Sequence, residues 1–528
     1  MDNMIRGCFI ARLCALFALA FPESIPGKIV AFFKRCYHDS VTRRAIHVFF
    51  SVSPKIVYSN FYKLLYKLNK FIQKCGELLR PAFENSLVIK AWCALCSSKL
   101  LRESALFAFF SKLGMRRLLI AVFALYLPMD VFVRDVLQIG FLSSIWDEAF
   151  MLLCVCYIIF RIASSRELIK PRITPVDMPL MFFIAIGVLL VAVVSPKLGP
   201  AIDGWRAVCQ FMLWFFVLTR LLEKDEDFKT LYFTMCAMAT VIALHGIYQY
   251  ITKAPMPSQW VAQAEAGVRT RVYSIIGSPN VMGAFLVMTA PMIAACAYYV
   301  KPLWAKCALW GVTGIFCLST LFTFSRGAWF GLTIAVVVFS LLVDRKLLFI
   351  AGAAILAVIF CVPEISNRIA FLFTSDFAEA NASGGRGERW EIGMRLWRPN
   401  KLFGFGLGRY GGAIAMQNQE IDNLAYYYMD NYYLKTLTEM GLLGLVSYVW
   451  LLLRNLLWSC RSIFKTQKNR MSVLSCGIVA GQLGVLSHSF FENIFEVPYM
   501  NAYFWGLSAA VIYLGYIRKR KGDKAQVK

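Results

Sequence analysis

Continuous apolar runs, not alternating apolar and polar positions, dominate the chain from about residue 118 to residue 517. A helix needs roughly 17 to 25 apolar residues to cross about 30 Å of hydrocarbon, and lipid admits only helices or closed barrels. Continuous runs favour helices. The pattern therefore predicts an all-α, polytopic membrane protein. Its candidate spans lie near 118–134, 137–160, 178–195, 205–222, 229–250, 281–300, 304–323, 327–343, 347–363, 433–455, 473–490 and 499–517, which makes about twelve.

Composition supports a membrane protein with three regions. Of the 528 residues, 59% are hydrophobic and 16% are charged, whereas about a quarter of a soluble protein is charged. Residues 1–117 form a basic, amphipathic region that we expect to be cytoplasmic or peripheral. Residues 118–517 form the transmembrane domain, and residues 518–528 form a basic cytoplasmic tail. No nucleic-acid partner is expected.

The orientation follows from the distribution of Lys and Arg among the short loops. Every second connection is rich in these residues, as in 161–172, 220–229 and 454–470, and the alternate short connections are poor in them. Basic loops face the cytoplasm. This bias predicts a multi-pass protein of the cytoplasmic (inner) membrane with both termini in the cytoplasm. It makes residues 364–432 one long extracytoplasmic loop.

The N-terminal region contains amphipathic stretches. In residues 60–80, Leu64, Leu68 and Phe71 repeat at helical spacing beside a series of lysines, a pattern typical of helices on an anionic leaflet. Membrane lipids are therefore expected partners. The first residues also resemble a signal peptide, with Ala18 and Ala20 at an A-x-A site. Cleavage there would place every later loop against the positive-inside bias, which favours a peripheral or re-entrant helix instead.

Three further patterns predict no cofactor or metal. None of the 16 cysteines falls in the predicted outside loops, so no disulfide framework is expected. Cys93 and Cys96 form a single C-x-x-C without a second ligand pair, and ordinary apolar packing is the favoured interpretation over zinc. Residues 406–411 match G-x-G-x-x-G, but no strand precedes them. We interpret this stretch as a flexible bend at the membrane surface.

The long loop carries an arginine cluster. The stretch before Pro399 predicts a short helix, and the preceding glycines leave its first N–H groups open to an anion. Arg386 and Arg389 would share one face, while Glu391 and Arg395 would form an i,i+4 pair. Arginine binds phosphate oxygens bidentately. An anionic ligand is one interpretation; the alternative is an interfacial helix with arginines on lipid headgroups.

Other outside segments add arginines to the same surface. Arg269 and Arg271 precede span six beside Asn280, Arg326 begins span eight, and Arg206 begins span four. Ionisable groups at helix ends in lipid normally face a bundle interior or an aqueous cavity. Four segments thus offer arginine to one surface.

Acid and base candidates follow the loop. Asp430, Asn431, Lys435 and Glu439 open span ten, and His488 closes span eleven with Glu492 close behind. Asn431, Lys435 and Glu439 are four residues apart and share one helical face. A structural alternative stays open for each: Lys435 and Glu439 would neutralise each other, and His488 would be an interfacial histidine.

At these residues, the chain resembles the O-antigen ligase and O-antigen polymerase superfamily of multispanning membrane glycosyltransferases. The resemblance covers about 118–517. It rests, in chain order, on "RVYSIIGSPNVMG", "TFSRGAWFGL", "GRGERWEIGMRLWRPNKLFGFGLGRYGG" and "DNYYLKTLTEMGLLGL".

The resemblance implies a GT-C-like helical fold that transfers a glycan from undecaprenyl diphosphate to an acceptor hydroxyl outside the cytoplasmic membrane. It implies an inverting, metal-independent enzyme without a cofactor, in which Arg271, Arg326, and Arg386 or Arg389 bind the diphosphate. Arg206, Arg269, Asn280, Asn431, Lys435 and Glu439 would support the site.

One position departs from the family pattern. Ligases commonly have His-Asn-x-x-Leu where this chain has Asp430, Asn431 and, three residues further, Leu434. Asp430 is therefore the first candidate base and His488 the second, and the departure weakens a ligase assignment relative to a polymerase. The acceptor (a glycan, lipid A core or protein) is not determined. An alternative function is transport of an anion or a lipid-linked glycan, although no internal repeat supports it.

Overall fold

The computed structural model describes residues 28, 60–87, 90, 105–255, 270–382, 385–418, 428–466 and 470–518. The chain divides into two compact units, Met1–Lys63 and Leu64–Lys528. Arg269, the C-x-x-C cysteines, the signal-like opening and the tail beyond residue 518 lie outside the described residues. The predicted region boundaries at 117/118 and 517/518 stay predictions.

The described residues are helical and contain no β-strand, as predicted. Numbered in chain order, the α-helices are α1 Asn60–Asn85, α2 Ala105–Ala124, α3 Tyr126–Val131, α4 Gly140–Ser164, α5 Asp177–Val193, α6 Leu198–Cys209, α7 Trp214–Leu221, α8 Asp225–Ile251, α9 Pro279–Tyr299, α10 Leu303–Phe322, α11 Arg326–Leu342, α12 Lys346–Cys361, α13 Pro363–Ala370, α14 Ser375–Ala382, α15 Arg386–Trp397, α16 Ala413–Asn418, α17 Tyr432–Thr466, α18 Met471–His488 and α19 Pro498–Ile512.

Several of these helices are long and apolar enough to cross a membrane. Within the described ranges, six helical stretches meet this condition, and their bounds are Leu198–Leu221, Asp225–Ile251, Pro279–Tyr299, Leu303–Phe322, Tyr432–Phe464 and Met471–His488. The helices Asp177–Val193, Arg326–Leu342 and Lys346–Cys361 are apolar but shorter. The chain is thus a multi-pass membrane protein, whereas about twelve crossings and a GT-C fold stay predictions.

The centre of the bundle is formed by α9 and α18, which pack closely along their length. A Cβ at Gly481 of α18 would lie 2.0 Å from the Met288 carbonyl oxygen of α9, and one at Gly477 would lie 2.6 Å from the Pro291 carbonyl oxygen. Small residues let membrane helices approach through backbone contact. The helix α11 packs against both α9 and α18. These contacts bring the ends of α9, α11 and α18 together.

A break at Gly441 interrupts α17, where φ is 65°. The carbonyls of Thr438 and Glu439 accept hydrogen bonds from the N–H groups of Phe405 and Gly406, at 2.7 and 3.0 Å. Beyond the break, the N–H groups of Leu442 and Leu443 donate to the carbonyls of Lys401 and Leu402. Residues 401–406 therefore supply the hydrogen-bond partners that α17 lacks at this break. Backbone polar groups need such partners in a low-dielectric environment.

The glycine-rich bend, residues 404–412, is packed tightly against its neighbours. Gly404, Gly406, Gly408 and Gly411 all have positive φ, which agrees with the predicted bend. However, a Cβ at Gly408 would lie 2.2 Å from the Pro200 carbonyl oxygen, and one at Gly412 would lie 1.8 Å from Glu496 Oε1. Close packing, more than flexibility, accounts for these glycines.

Candidate functional site

The arginine helix of the long loop forms where it was predicted. The helix α15 begins at Arg386 after Gly385 and packs against α17. Arg386 and Arg389 lie near its N-terminus and both face Asp430, while Glu391 and Arg395 form the expected pair at 3.5 Å with both side chains 70% exposed. The helix α15 therefore carries an exposed ion pair, Glu391 with Arg395, and two arginines that face Asp430.

Asp430 lies between these arginines and the start of α17. Arg389 Nη1 donates to Asp430 Oδ2 at 2.9 Å, and Arg386 Nε lies 3.6 Å from the same oxygen. Burial, followed by the negative charge of Glu492, raises the pKa of the Asp430 carboxyl to about 6 against the opposing charges of the two arginines. Its left-handed φ of 50° is a conformation that Asp and Asn tolerate better than most residues.

The neighbouring main chain fixes the position of this carboxylate. Trp390 Nε1 donates to the Met429 carbonyl at 2.9 Å, and the Tyr410 hydroxyl donates to the Arg389 carbonyl at 2.7 Å. Asn431 Oδ1 accepts from the N–H groups of Tyr433 and Leu434 at 3.1 Å, so it caps α17. Asp430 is thus held on one side by α15 and on the other by the start of α17.

A second carboxylate, Glu492, joins distant segments at this site. Asn280 Nδ2 donates to Glu492 Oε2 at 2.6 Å, and the Tyr428 hydroxyl donates to Oε1 at 2.5 Å. Burial and the charge of Glu492 raise the pKa of the Tyr428 phenol well above its ordinary value. Glu492 is only 4% exposed. The sequence shows Glu492 close to His488. It does not reveal that Glu492 joins Asn280 and Tyr428, because these partners are remote in sequence.

Arg271 belongs to the same network through Asn280. Its Nε donates to the Thr323 carbonyl at 3.0 Å and its Nη2 donates to Asn280 Oδ1 at 3.0 Å. The side chain is buried and held by these acceptors. Arg271, Asn280, Glu492 and Tyr428 therefore form one continuous chain of hydrogen bonds.

Arg326 is the first residue of α11, and the next residue, Gly327, contacts His488. The residue before the helix, Ser325, accepts a hydrogen bond from the Ala328 N–H at 3.4 Å and caps the N-terminus. A Cβ at Gly327 would lie 2.6 Å from His488 Cδ2, so the imidazole packs directly on the first turn of α11. His488 is 1% exposed. In the described part of the chain, its Nδ1 has no hydrogen-bond partner.

Lys435 and Glu439 form the predicted pair, and a third group completes it. Lys435 Nζ donates to Glu439 Oε2 and lies 3.1 Å from Glu496 Oε1. The side chains of Lys435, Glu439 and Glu496 are only 3%, 1% and 8% exposed. The free Glu439 oxygen accepts the Tyr410 N–H at 3.2 Å, and Glu496 Oε2 accepts the Ala413 N–H at 3.2 Å. This buried triad anchors the glycine-rich bend.

Arg206 occupies a different place from the other candidate arginines. Its guanidinium pairs with Glu148 and its Nε donates to Gln210 Oε1 at 3.1 Å. It therefore lies in a network with α4. Among the described residues, no group of three or more His, Cys, Asp or Glu side chains is arranged to hold a metal ion.

Comparison with known proteins identifies a related family for part of the chain. Residues 311–449 match the family model described as O-antigen ligase. The resemblance to the O-antigen ligase superfamily is confirmed over these residues. The matched segment includes Arg326, Arg386, Arg389 and Asp430, and it suggests a membrane glycan-transfer function. No curated protein matches the chain.

Proposed function

We propose that the protein transfers a glycan from undecaprenyl diphosphate to an acceptor hydroxyl on the outer side of the cytoplasmic membrane. The observation that carries the proposal is the position of Asp430, whose Oδ2 approaches two arginines of α15 while the charge of Glu492 helps to raise its pKa. An O-antigen ligase-like enzyme needs a base for the acceptor and a cationic site for the leaving group. Both chemistries lie side by side here.

Arg386 and Arg389 are the proposed ligands of the diphosphate. Their side chains are 36% and 28% exposed, whereas Asp430 is 13% exposed, so the arginines are accessible while the carboxylate lies deeper. Arg389 Nε is buried and has no hydrogen-bond partner within the described ranges. A guanidinium has five N–H donors, so Arg389 can keep Asp430 on Nη1 and donate an exposed N–H group to a phosphate oxygen.

Asp430 is the proposed base. The acceptor oxygen attacks the anomeric carbon, its proton passes to the Asp430 carboxylate, and undecaprenyl diphosphate leaves from the opposite face, which inverts the anomeric configuration. A base with a pKa of about 6 is largely ionised at neutral pH and still accepts a proton in the transition state. No metal is invoked, because guanidinium groups balance the charge of the leaving group.

The remaining candidates act through these groups in this scheme. Arg271 holds Asn280, which in turn donates to Glu492, the carboxylate whose charge helps to raise the pKa of Asp430. Arg326 is the first residue of α11 and is a further diphosphate candidate. His488 is the second choice as base because its imidazole is almost completely buried against Gly327.

The test is transfer by the purified full chain in detergent micelles. The protein is incubated with an undecaprenyl-diphosphate-linked oligosaccharide and a glycolipid acceptor, and mass spectrometry follows the new glycosidic bond and the released carrier. We expect both products in equal amounts. Lipid-linked glycan that crosses a proteoliposome membrane without a new bond would instead support the transporter alternative.

The surface glycan of a deletion strain identifies the acceptor class. Loss of all chains from the anchor indicates a ligase, whereas single repeat units left on the anchor indicate a polymerase. Asp430 in the place of the ligase histidine weakens a ligase assignment but does not identify the acceptor, so this experiment assigns the acceptor separately from the transfer assay.

A further inference from the structure

The described part of α1 docks on the C-terminal end of α4. Asn69 Nδ2 donates to the Ile169 carbonyl at 2.8 Å, and Gln73 Nε2 donates to the Ser165 carbonyl at 3.1 Å. A Cβ at Gly76 would lie 2.2 Å from the Ala163 carbonyl oxygen, so the two backbones are in direct contact. The last four carbonyl groups of a helix accept no hydrogen bond from within their own helix. Side chains of α1 supply donors at this end of α4.

A cavity of about 250 Å³ opens between α1, the end of α4 and the segment that follows α4. Its wall is mainly aliphatic and includes Leu65, Leu68, Ile72, Ile158, Ile162 and Ile169. Such a wall suits a hydrocarbon chain and offers few hydrogen bonds to a polar ligand.

Cations surround this aliphatic wall. Arg161 and Arg172 also line the cavity, and both bind the Glu223 carboxylate. Arg220 pairs with Asp177 at 3.3 Å. Lys170 lines the cavity as well, is exposed, and forms no ion pair within the described ranges. The lining therefore combines four cations with one acid, and one ammonium group is available.

The surface beside the cavity is apolar. Leu64 and Phe71 of α1 are 62% and 65% exposed, and Leu152 and Phe160 of α4 are 62% and 59% exposed. Apolar side chains exposed to this extent next to a membrane helix are expected to contact lipid. Exposed lysines continue along α1 beyond the cavity, at Lys67, Lys70 and Lys74. The cavity thus opens at a place where lipid and cations meet.

We propose that this cavity binds one anionic glycerophospholipid, with an acyl chain on the aliphatic wall and the phosphate on Lys170. Basic pockets beside membrane helices recognise anionic headgroups in this way. The bound lipid would join α1 to the membrane domain, independently of glycan transfer.

Lipid retention by the full chain in detergent micelles tests the site. Native mass spectrometry counts lipids that stay bound after exchange into phosphatidylglycerol or phosphatidylcholine. We expect one retained phosphatidylglycerol and no retained phosphatidylcholine. Lys170→Gln should weaken retention about five-fold, from roughly 1 kcal/mol per basic residue. The matched control Lys74→Gln, on the same surface but outside the cavity lining, should leave retention unchanged.

A second variant separates the cavity from general surface attraction. Ile162→Trp fills the aliphatic wall without changing the charge and should remove the retained lipid, and inorganic phosphate should not displace the lipid from the native protein. Should Ile162→Trp lower the unfolding temperature, the contrast between Lys170→Gln and Lys74→Gln decides, because both remove one charge from the same surface and only Lys170 lines the cavity. Equal binding of phosphatidylcholine, or equal effects of Lys170→Gln and Lys74→Gln, would overturn the proposal.

Discussion

Two charged clusters lie near the start of α17, and they differ in what surrounds them. The Lys435, Glu439 and Glu496 triad has side chains 8% exposed or less, and its carboxylates are also bound to backbone N–H groups of the glycine-rich bend. The Asp430 cluster consists of Asp430, Arg386 and Arg389. Its two arginine side chains are 36% and 28% exposed, and the buried Arg389 Nε has no hydrogen-bond partner among the described residues.

The comparison shows that ionic residues alone do not mark a binding site. In the triad, every charge is matched by another charge or by a backbone donor, so a ligand finds little to bind. In the Asp430 cluster, guanidinium donors remain accessible, and the carboxylate pKa lies close to neutrality. A cluster in which some polar groups lack hydrogen-bond partners and a pKa is shifted is the better candidate for a functional site. The following predictions test this distinction.

The largest effect is expected from Asp430→Asn. Asn tolerates the left-handed φ of this position, so the fold should persist while the base is lost. The kcat/KM for glycan transfer should fall by about 10² to 10⁴ with little change in unfolding temperature. A fall in unfolding temperature equal to that of a triad variant would show that both clusters are structural.

Lys435→Ala should instead act mainly on stability. Removing one partner leaves two buried carboxylates without a countercharge, which costs about 3 to 5 kcal/mol. Thermal unfolding in detergent measures this loss. The double variant Lys435→Met with Glu439→Gln removes charge from both partners and should be more stable than Lys435→Ala. Unchanged stability in Lys435→Ala would contradict the structural role of the triad.

Arg389→Ala should reduce transfer by about ten- to a hundred-fold, the value of one or two hydrogen bonds from a charged group. A matched control is available on the same helix in Arg395→Ala, because Arg395 and its partner Glu391 are largely exposed. The control should change neither transfer nor unfolding temperature. Equal activity of the two variants would exclude diphosphate binding by Arg389.

The pH profile of transfer tests the pair of carboxylates. Asp430 accepts a proton only when ionised, so kcat/KM should fall tenfold per pH unit below its pKa of about 6. Glu492→Gln removes a negative charge that raises this pKa, and the acidic limb should therefore move to lower pH. A limb that stays in place would indicate that another group is the base.

The smallest change is expected at the helix cap of α17. Asn431→Ser keeps a side-chain oxygen for the N–H groups of Tyr433 and Leu434 and should cost a few tenths of a kcal/mol, whereas Asn431→Ala should cost about 1 kcal/mol. Transfer activity per folded protein should be similar in both. A large loss of activity in Asn431→Ser would assign Asn431 to the site itself.

Local patterns predicted several features correctly because they depend on neighbours in sequence. The helix from Arg386, the shared face of Arg386 and Arg389, the exposed Glu391 and Arg395 pair, and the Lys435 and Glu439 pair all follow from i,i+3 and i,i+4 spacing. The apolar runs likewise predicted helices at each proposed span. The number of crossings, the sidedness and the catalytic roles stay predictions.

Features that join remote segments were not visible in the sequence. Glu492 meets Asn280 across 212 positions and Tyr428 across 64, and Glu496 completes the triad with Lys435. Arg206 was grouped with the other arginines by its predicted side of the membrane, but its charge is bound to Glu148. No sequence spacing distinguishes these cases, because hydrogen-bond partners depend on how the helices pack.

The sequence by itself determined the helical class, the multi-pass character and the arginine-rich loop, because lipid solvation and helix periodicity act locally along the chain. Only the tertiary structure decided which charges neutralise one another and which remain accessible. Burial and packing set the dielectric around each group, and through it they separate the closed triad from the open Asp430 cluster.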